Sequence, residues 1–133
     1  MNRLIWTLPL ILLAGCMGPA PQDKPTDKPY FWQLVSIDGV PFAARATLAF
    51  DSDAHKAFGQ GPCNAWSGDV VTDPFPVSRI VNVTATEIGC DDLAAEQAFF
   101  AAMQDMTHEG VGLGHLELVD QKGRVMAFVP LAS

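Results

Sequence analysis

Basic residues are scarce in this sequence. It contains 8 Lys and Arg against 15 Asp and Glu, which gives a formal net charge of −7, and the basic residues form no cluster. Proteins that bind nucleic acid concentrate Lys and Arg to displace counterions from phosphates. The composition therefore argues against a nucleic-acid partner, and equally against electrostatic attraction to anionic lipid.

Reactive groups are sparse as well. The chain has three cysteines and three histidines, and Cys63 and Cys90 are too far apart to form the C-x-x-C pair of a thioredoxin-like dithiol. No histidine has a spacing that nominates it as the base for a cysteine nucleophile. The histidines, taken with Asp91 and Asp92, also lack the spacing of metal ligands. We therefore expect no enzyme activity, no cofactor and no metal site.

The N-terminus carries a long apolar run. Met1-Asn2-Arg3 is a short basic start, and LIWTLPLILLAG follows at residues 4–15. A membrane-spanning helix needs about 20 apolar residues, whereas this run is shorter, contains a proline and ends in small residues. These features predict a secretory signal peptide over residues 1–15 that is removed from the mature protein.

The four residues Leu13-Ala14-Gly15-Cys16 resemble the bacterial lipobox, in which the cysteine sulfur receives a diacylglycerol before the leader is cut. The resemblance implies that Cys16 is lipidated, begins the mature protein and attaches it to the membrane through acyl chains. Met17 follows the cysteine where Asp would favour the inner membrane. This implies the periplasmic face of the outer membrane, with the inner membrane as second choice. An ordinary signal peptide is the alternative.

Residues 16–29 contain four prolines and almost no large apolar side chain. Such a segment cannot build a core, and its prolines favour extended conformations. We predict a tether here and a single domain at residues 30–131, because about a hundred residues make one compact domain rather than two.

The cysteine count also predicts a disulfide. An odd number leaves one thiol outside any pairing, and with Cys16 assigned to lipid, Cys63 and Cys90 remain as a pair in an oxidising compartment. By the chain-entropy account, closing this loop stabilises the fold by about 3.5 kcal/mol. A redox dithiol or a nucleophilic thiol is the open alternative.

Short apolar runs separated by turn residues predict an antiparallel sheet. The predicted strands are residues 30–37, 46–50, 55–60, 64–71, 79–83, 114–119 and 124–129. Residues 91–106 differ, since they are rich in Ala, Glu, Gln and Met, lack Gly and Pro, and open with two acids; they predict a helix at about 91–107. One side of this helix should dock on the sheet, and its members are Ala95, Phe99, Ala102, Met103 and Met106.

Two separated motifs carry a resemblance to a known family. The first is GQGPCNAWSG at residues 59–68, and the second is VTATEIGC at residues 83–90 with Glu96 on the helix that follows. In order and spacing they resemble the META-domain family, of which HslJ-like lipoproteins are members. The matching residues are Gly59, Gly61, Asn64, Trp66, Gly68, Thr86 and Glu96. Pro62, where glycine is common, and Asp69-Val70, where an aromatic is usual, depart from the pattern.

The resemblance implies a mainly β (α+β) single domain. Its sheet is expected to be curled, barrel-like and antiparallel, with one helix inserted before the C-terminal hairpin. The resemblance implies no enzyme activity, and it associates the chain loosely with envelope stress, motility and antibiotic resistance.

Several motif residues also have physical interpretations that need no ligand. Gly59 and Gly61 fit a tight turn or bulge in which a side chain would clash. Asn64 suits a local Asx turn. Trp66 is expected to fill the core, with a pocket wall as the alternative.

Three functional hypotheses follow. The leading one is a non-catalytic, lipid-anchored periplasmic protein that contacts other envelope proteins or acts under stress, as a monomer. The alternative is a carrier that holds a small apolar ligand within the curled sheet. An enzyme comes third: Thr86 and Glu96 are expected to form a buried polar pair or a helix-end contact, and catalysis is their second interpretation.

Thiol labelling of the denatured mature protein tests the assignment of the three sulfurs. Without reductant we expect no labelled cysteine, because Cys16 is a thioether and the other two are disulfide-bonded. With reductant we expect labels at Cys63 and Cys90 alone, and mass spectrometry should show an acylated Cys16. An unmodified Cys16, or two thiols that react before reduction, would contradict the assignment.

Overall fold

The structure is a computed structural model that describes Gly15, Gly18 and residues 29–112 and 114–131. The predicted lipidation site Cys16 and most of the predicted signal peptide and tether lie outside the described residues, so they stay predictions. The helix in the described part of the chain lacks the length and hydropathy that crossing a bilayer would require.

Nine strands and one helix make up the described domain. The strands are β1 (Trp32–Ile37), β2 (Val40–Pro41), β3 (Thr47–Asp51), β4 (Lys56–Gln60), β5 (Ala65–Val71), β6 (Arg79–Ala85), β7 (His108–Gly112), β8 (His115–Val119) and β9 (Val125–Pro130), and the helix α1 (Leu93–Asp105) lies between β6 and β7. All strand pairs are antiparallel. The strand order is β6-β5-β4-β3-β1-β9-β8-β7, with β2 beside β1. The predicted mainly β fold, with one helix before the last strands, is confirmed.

Neither β2 nor β7 follows from the sequence pattern. β7 includes Gly110 and Gly112, residues that are depleted in strands, and the sequence pattern predicts the next strand after the helix only from residue 114. The segment is a strand because every residue from His108 to Gly112 pairs with β8. Pairing with β8 therefore outweighs the low intrinsic tendency of glycine to form strands.

The helix is shorter than the predicted 91–107. Asp91 and Asp92 form a turn before it, and Met106 ends it with an extended backbone, at φ −70° and ψ 133°. The N–H of Met106 donates to the carbonyl oxygen of Met103 at 3.2 Å, which satisfies one of the last carbonyls of the helix.

The sheet curls around α1. Phe99, Ala102 and Met103 of the helix are at most 1% exposed, and they share one core cluster with side chains from seven of the strands, including Leu34 of β1 and Phe128 of β9. Strands lie about 4.8 Å apart, so one helix could not reach both halves of a flat sheet of this width. The predicted buried side of the helix is confirmed, with Ala95 half-buried.

The two outer strands of the sheet approach each other through the segments that precede them. The N–H of Ser78, just before β6, donates to the carbonyl oxygen of Thr107, just before β7, at 2.8 Å. This bond joins opposite ends of the strand order, so the curl of the sheet is held there by the backbone itself.

Arg124 connects the end of the helix to the turn after β1. Its Nε donates to Asp38 Oδ2 at 3.1 Å and its Nη1 to Asp105 Oδ2 at 2.6 Å. The N–H of Val125 also donates to Asp38 at 3.0 Å, and this bond, together with the guanidinium, lowers the pKa of Asp38. Exposed ion pairs contribute little free energy, so the bridge chiefly positions these segments.

Gly59 of β4 lies against the backbone of β3, and its substitution tests how tightly the two strands approach. A Cβ built on Gly59 would lie 2.7 Å from the carbonyl carbon of Thr47, a contact that no side-chain rotation relieves. We expect Gly59→Ala to lower the free energy of unfolding by about 3 kcal/mol in urea denaturation.

Gly110→Ala is the matched control for Gly59→Ala, because a Cβ on Gly110 meets nothing within 4 Å. We expect it to be neutral or slightly stabilising, since alanine loses less backbone entropy than glycine. An equal loss of stability in both variants would contradict the steric explanation.

Candidate functional site

The site is built around a carboxylate that α1 directs into the fold. Glu96 is only 4% exposed. Its Oε2 accepts hydrogen bonds from the backbone N–H groups of Cys63 at 2.8 Å and Asn64 at 2.7 Å. Its Oε1 accepts a hydrogen bond from Asn64 Nδ2 at 2.6 Å. The helix is thereby fixed to the turn between β4 and β5.

Asn64 extends this network to the segment after β6. The residue is 3% exposed, and its Oδ1 accepts bonds from Thr86 Oγ1 at 2.9 Å and from the N–H of Ile88 at 2.6 Å. Its Nδ2 also donates to the carbonyl oxygen of Ile88 at 3.1 Å. The side chain thus makes long-range bonds and not the predicted local Asx turn; the local turn is closed instead by the N–H of Gly61, which donates to the carbonyl oxygen of Asn64 at 2.7 Å.

Thr86 and Glu96 do not touch as the predicted polar pair. Each bonds to Asn64, which lies between them, and Thr86 is exposed whereas Glu96 is buried. The helix-end contact is closer to what the structure shows, because Glu96 lies near the start of α1 and bonds to a neighbouring turn.

The predicted disulfide is confirmed. Cys63 and Cys90 are bonded, with their Cα atoms 5.6 Å apart, within the usual range. The bridge joins the turn before β5 to the segment after β6, the same two segments that Asn64 connects. Covalent and hydrogen-bonded links therefore coincide at one place in the fold.

Gly61 is required by the carboxylate. A Cβ on Gly61 would lie 2.8 Å from Glu96 Oε2 and 3.2 Å from the carbonyl oxygen of Asn64. The sequence interpretation placed Gly61 in a tight turn, which is correct as far as it goes. The close approach of a charged side chain is a second reason for glycine that the local sequence does not reveal.

Trp66 lies in the core, and it also contributes to the lining of an open surface depression of about 330 Å³ formed with residues 65, 67 and 84–86. It is buried, its Nε1 donates to the carbonyl oxygen of Thr47 at 3.2 Å, and its ring packs edge-on against Phe99 with the centroids 5.9 Å apart. The Thr47 carbonyl that accepts this bond is the one that Gly59 leaves room for. Gly68 likewise lies close to β6, since a Cβ there would be 3.0 Å from the carbonyl oxygen of Val81.

The environment of Glu96 favours its ionised form. Burial raises the pKa of the carboxyl, but the hydrogen bonds from the Asn64 side chain and from the backbone of Cys63 and Asn64 outweigh burial and lower the pKa below its ordinary value. A general acid at neutral pH needs the opposite shift. The arrangement therefore suits a carboxylate that holds structure together.

One polar cluster on the surface has no signature in the local sequence. Asp69 accepts hydrogen bonds from the Lys56 ammonium and, at 2.9 Å, from Asn82 Nδ2. The bond to Lys56, followed by that to Asn82, lowers the pKa of Asp69. These residues come together only through the pairing of β4, β5 and β6, so no local signal could have found them. Within the described residues, no three His, Cys, Asp or Glu side chains are placed to hold a metal ion.

The comparisons with known proteins agree with this geometry. The family model of the META domain matches residues 28–133. Among solved structures, an NMR structure of a protein from Burkholderia xenovorans superposes with a TM-score of 0.62 at 17% sequence identity, covering 87% of this chain and 98% of that one. At that identity the likeness concerns the fold. No curated protein sequence matches the chain significantly.

Replacing the buried carboxylate tests the network. Glu96→Gln turns an acceptor into a group whose NH₂ faces N–H donors, so we expect the free energy of unfolding to fall by about 3 kcal/mol at neutral pH. The pKa of Glu96 is lowered on folding, so its contribution is complete above the unfolded value of about 4.3 and is lost as the pH falls through the folded value. The difference in free energy of unfolding between Glu96→Gln and the parent protein should therefore be smaller at acidic pH.

Glu117→Gln makes the same chemical change on an exposed residue of β8 and serves as the control. We expect it to unfold like the parent protein at every pH. Urea titrations at neutral and acidic pH measure all three proteins, and a deficit in Glu96→Gln that does not change with pH would contradict the role given to the ionised carboxylate.

Proposed function

Since this chain belongs to the META-domain family, we propose that it is a non-catalytic, lipid-anchored protein of the bacterial envelope. In this proposal Cys16 holds it at the periplasmic face of the outer membrane, the proline-rich tether joins the domain to this anchor, and the domain contacts other envelope proteins or supports the envelope under stress.

One observation carries the proposal: the motif residues are engaged in holding the fold. The carboxylate of Glu96 accepts three hydrogen bonds, and both polar atoms of the Asn64 side chain are bonded. In the described residues, no buried side-chain nitrogen or oxygen lacks a partner. A reactive site usually keeps such a group free for its substrate, and these residues have none to spare.

The carrier alternative has less support. It needs room between the sheet and the helix, and that space contains Phe99 and Met103 of the helix packed against Leu34 and Leu48 of the sheet, each at most 1% exposed. Native cores leave few voids larger than a water molecule. A filled interior leaves the outer surface as the place where this domain meets other molecules.

The stabilising links suit work outside the cytoplasm. A disulfide persists in an oxidising compartment, and here it closes the same turn whose N–H groups bind Glu96. A small domain that must stay folded beyond the reach of cytoplasmic chaperones gains from both. This supports the assignment to the envelope and a role under stress.

Photo-crosslinking in intact cells tests the interaction role. Val40 and Ile88 are aliphatic side chains that are 66% and 64% exposed, so a photoreactive amino acid at either position should not disturb folding. We expect at least one position to yield a discrete adduct with an envelope protein in the anchored chain.

The matched control carries the same photoreactive residue in a chain exported with a non-lipoprotein leader and with Cys16→Ala. We expect its adduct to weaken, because the anchor no longer concentrates the domain at the membrane. Cells in which neither position gives a specific adduct would count against the interaction role.

A further inference from the structure

The half of the sheet formed by β3 to β6 has two ends, and the strand register shows which turns lie at each end. β1 begins at Trp32, which pairs with Leu48, and β3 then runs to Asp51, where β4 begins. We call this the proximal end, because the chain coming from the tether enters the sheet from that side. The antiparallel order returns the turn between β5 and β6 to the proximal end, and places the Glu96 network and the disulfide at the opposite, distal end.

The turn between β5 and β6 displays one aromatic side chain. Phe75 is 93% exposed and lies between Pro74 and Pro76, whose rings fix their own backbone φ angles. The turn is closed by the N–H of Val77, which donates to the carbonyl oxygen of Pro74 at 2.9 Å. The base of the turn is held by the Ser78 bond to Thr107. Phe75 is therefore presented on a well-tied support.

We propose that Phe75 inserts into the interface of the bilayer that holds Cys16, so that the proximal end of the domain faces the membrane. The inference rests on the lipid anchor of the proposed function. It adds an orientation and a second contact with lipid, which the anchor alone does not supply.

The tether favours lipid as the partner that Phe75 contacts. The chain from Cys16 to Pro29 cannot span more than about 50 Å when fully extended, and it joins the domain at the proximal end. Tethering at such distances gives effective concentrations on the order of millimolar. A single apolar side chain, too weak to recruit a free protein to a membrane, can therefore engage a bilayer to which the domain is already attached.

The exposed tyrosine of the proximal end agrees with this orientation, and the charged residues there determine how the contact with lipid is made. Tyr30, the residue next to the tether, is 58% exposed, and tyrosine prefers the boundary between hydrocarbon and water. The turn carries the charge of Asp73, and Asp51 and Asp53 lie at the neighbouring turn between β3 and β4. Within the described residues, the basic side chains at this end are Arg79, exposed at the start of β6, and Lys56, which is paired with Asp69. Acids outnumber bases at this end and are not attracted to anionic lipid, so the contact depends on apolar insertion and should persist when salt is added.

Quenching by brominated lipid tests the insertion. The acylated full-length mature protein, purified from membranes as Phe75→Trp, is reconstituted into vesicles of phosphatidylcholine brominated on one acyl chain. The parent protein already fluoresces from Trp32 and Trp66, so the emission that the variant adds to this signal reports on position 75. We expect this additional emission to shift to the blue and to lose at least half its intensity through quenching by bromine. Ile88→Trp is the matched control, because Ile88 is 64% exposed and its backbone bonds to Asn64 at the distal end. Its additional emission should stay unquenched.

Flotation of the same vesicles separates failure of the anchor from failure of the insertion. Protein that does not float with the vesicles would overturn the lipid anchor and the insertion together. If the Phe75→Trp protein floats while its additional emission stays unquenched, the insertion alone is overturned, and Phe75 is left to a protein partner. Equal quenching of the Phe75→Trp and Ile88→Trp proteins would overturn the orientation.

Discussion

The fold depends on one buried carboxylate and the three N–H donors around it. Glu96 comes from the helix, whereas its donors come from the turn between two strands. Apolar packing brings the helix and the sheet together, but it tolerates small shifts of the helix along the sheet. A buried charged group does not tolerate such shifts, because the loss of any hydrogen-bond donor leaves an uncompensated charge out of water. The carboxylate therefore sets the register of the helix along the inside of the sheet.

The disulfide and the carboxylate reinforce each other because they share a residue. The backbone N–H of Cys63 is bound by Glu96 while its sulfur is bonded to Cys90. The bridge limits how far the turn moves when the domain opens locally, so the donors stay close to the carboxylate. Reducing the bridge would free the turn, and the same opening would then also break hydrogen bonds to a buried charge.

Periodicity and composition predicted the helix and seven of the nine strands, and distant contacts decided the rest. The helical spacing of Phe99, Ala102 and Met103 was enough to find the buried side of α1, because amphipathic patterns are local. The partners of Asn64 lie 22 to 32 residues away, so its sequence neighbourhood suggested only a local turn. Gly61 shows the same limit: the sequence marks it as a glycine position but cannot say that a carboxylate is the neighbour.

In the proposed orientation, the proximal and distal ends would have different tasks. At the distal end a disulfide, a buried carboxylate and the Asn64 bonds cross-link the turns, and a cross-linked surface has little conformational entropy to lose when a partner binds. At the proximal end the chain arrives from the predicted tether, and Phe75 is exposed on a turn that backbone hydrogen bonds close. A domain held by its proximal end would present the cross-linked distal end away from the bilayer, where other envelope proteins could reach it. The family motif would then serve function indirectly, by keeping the shape of the surface that the domain presents to its partners.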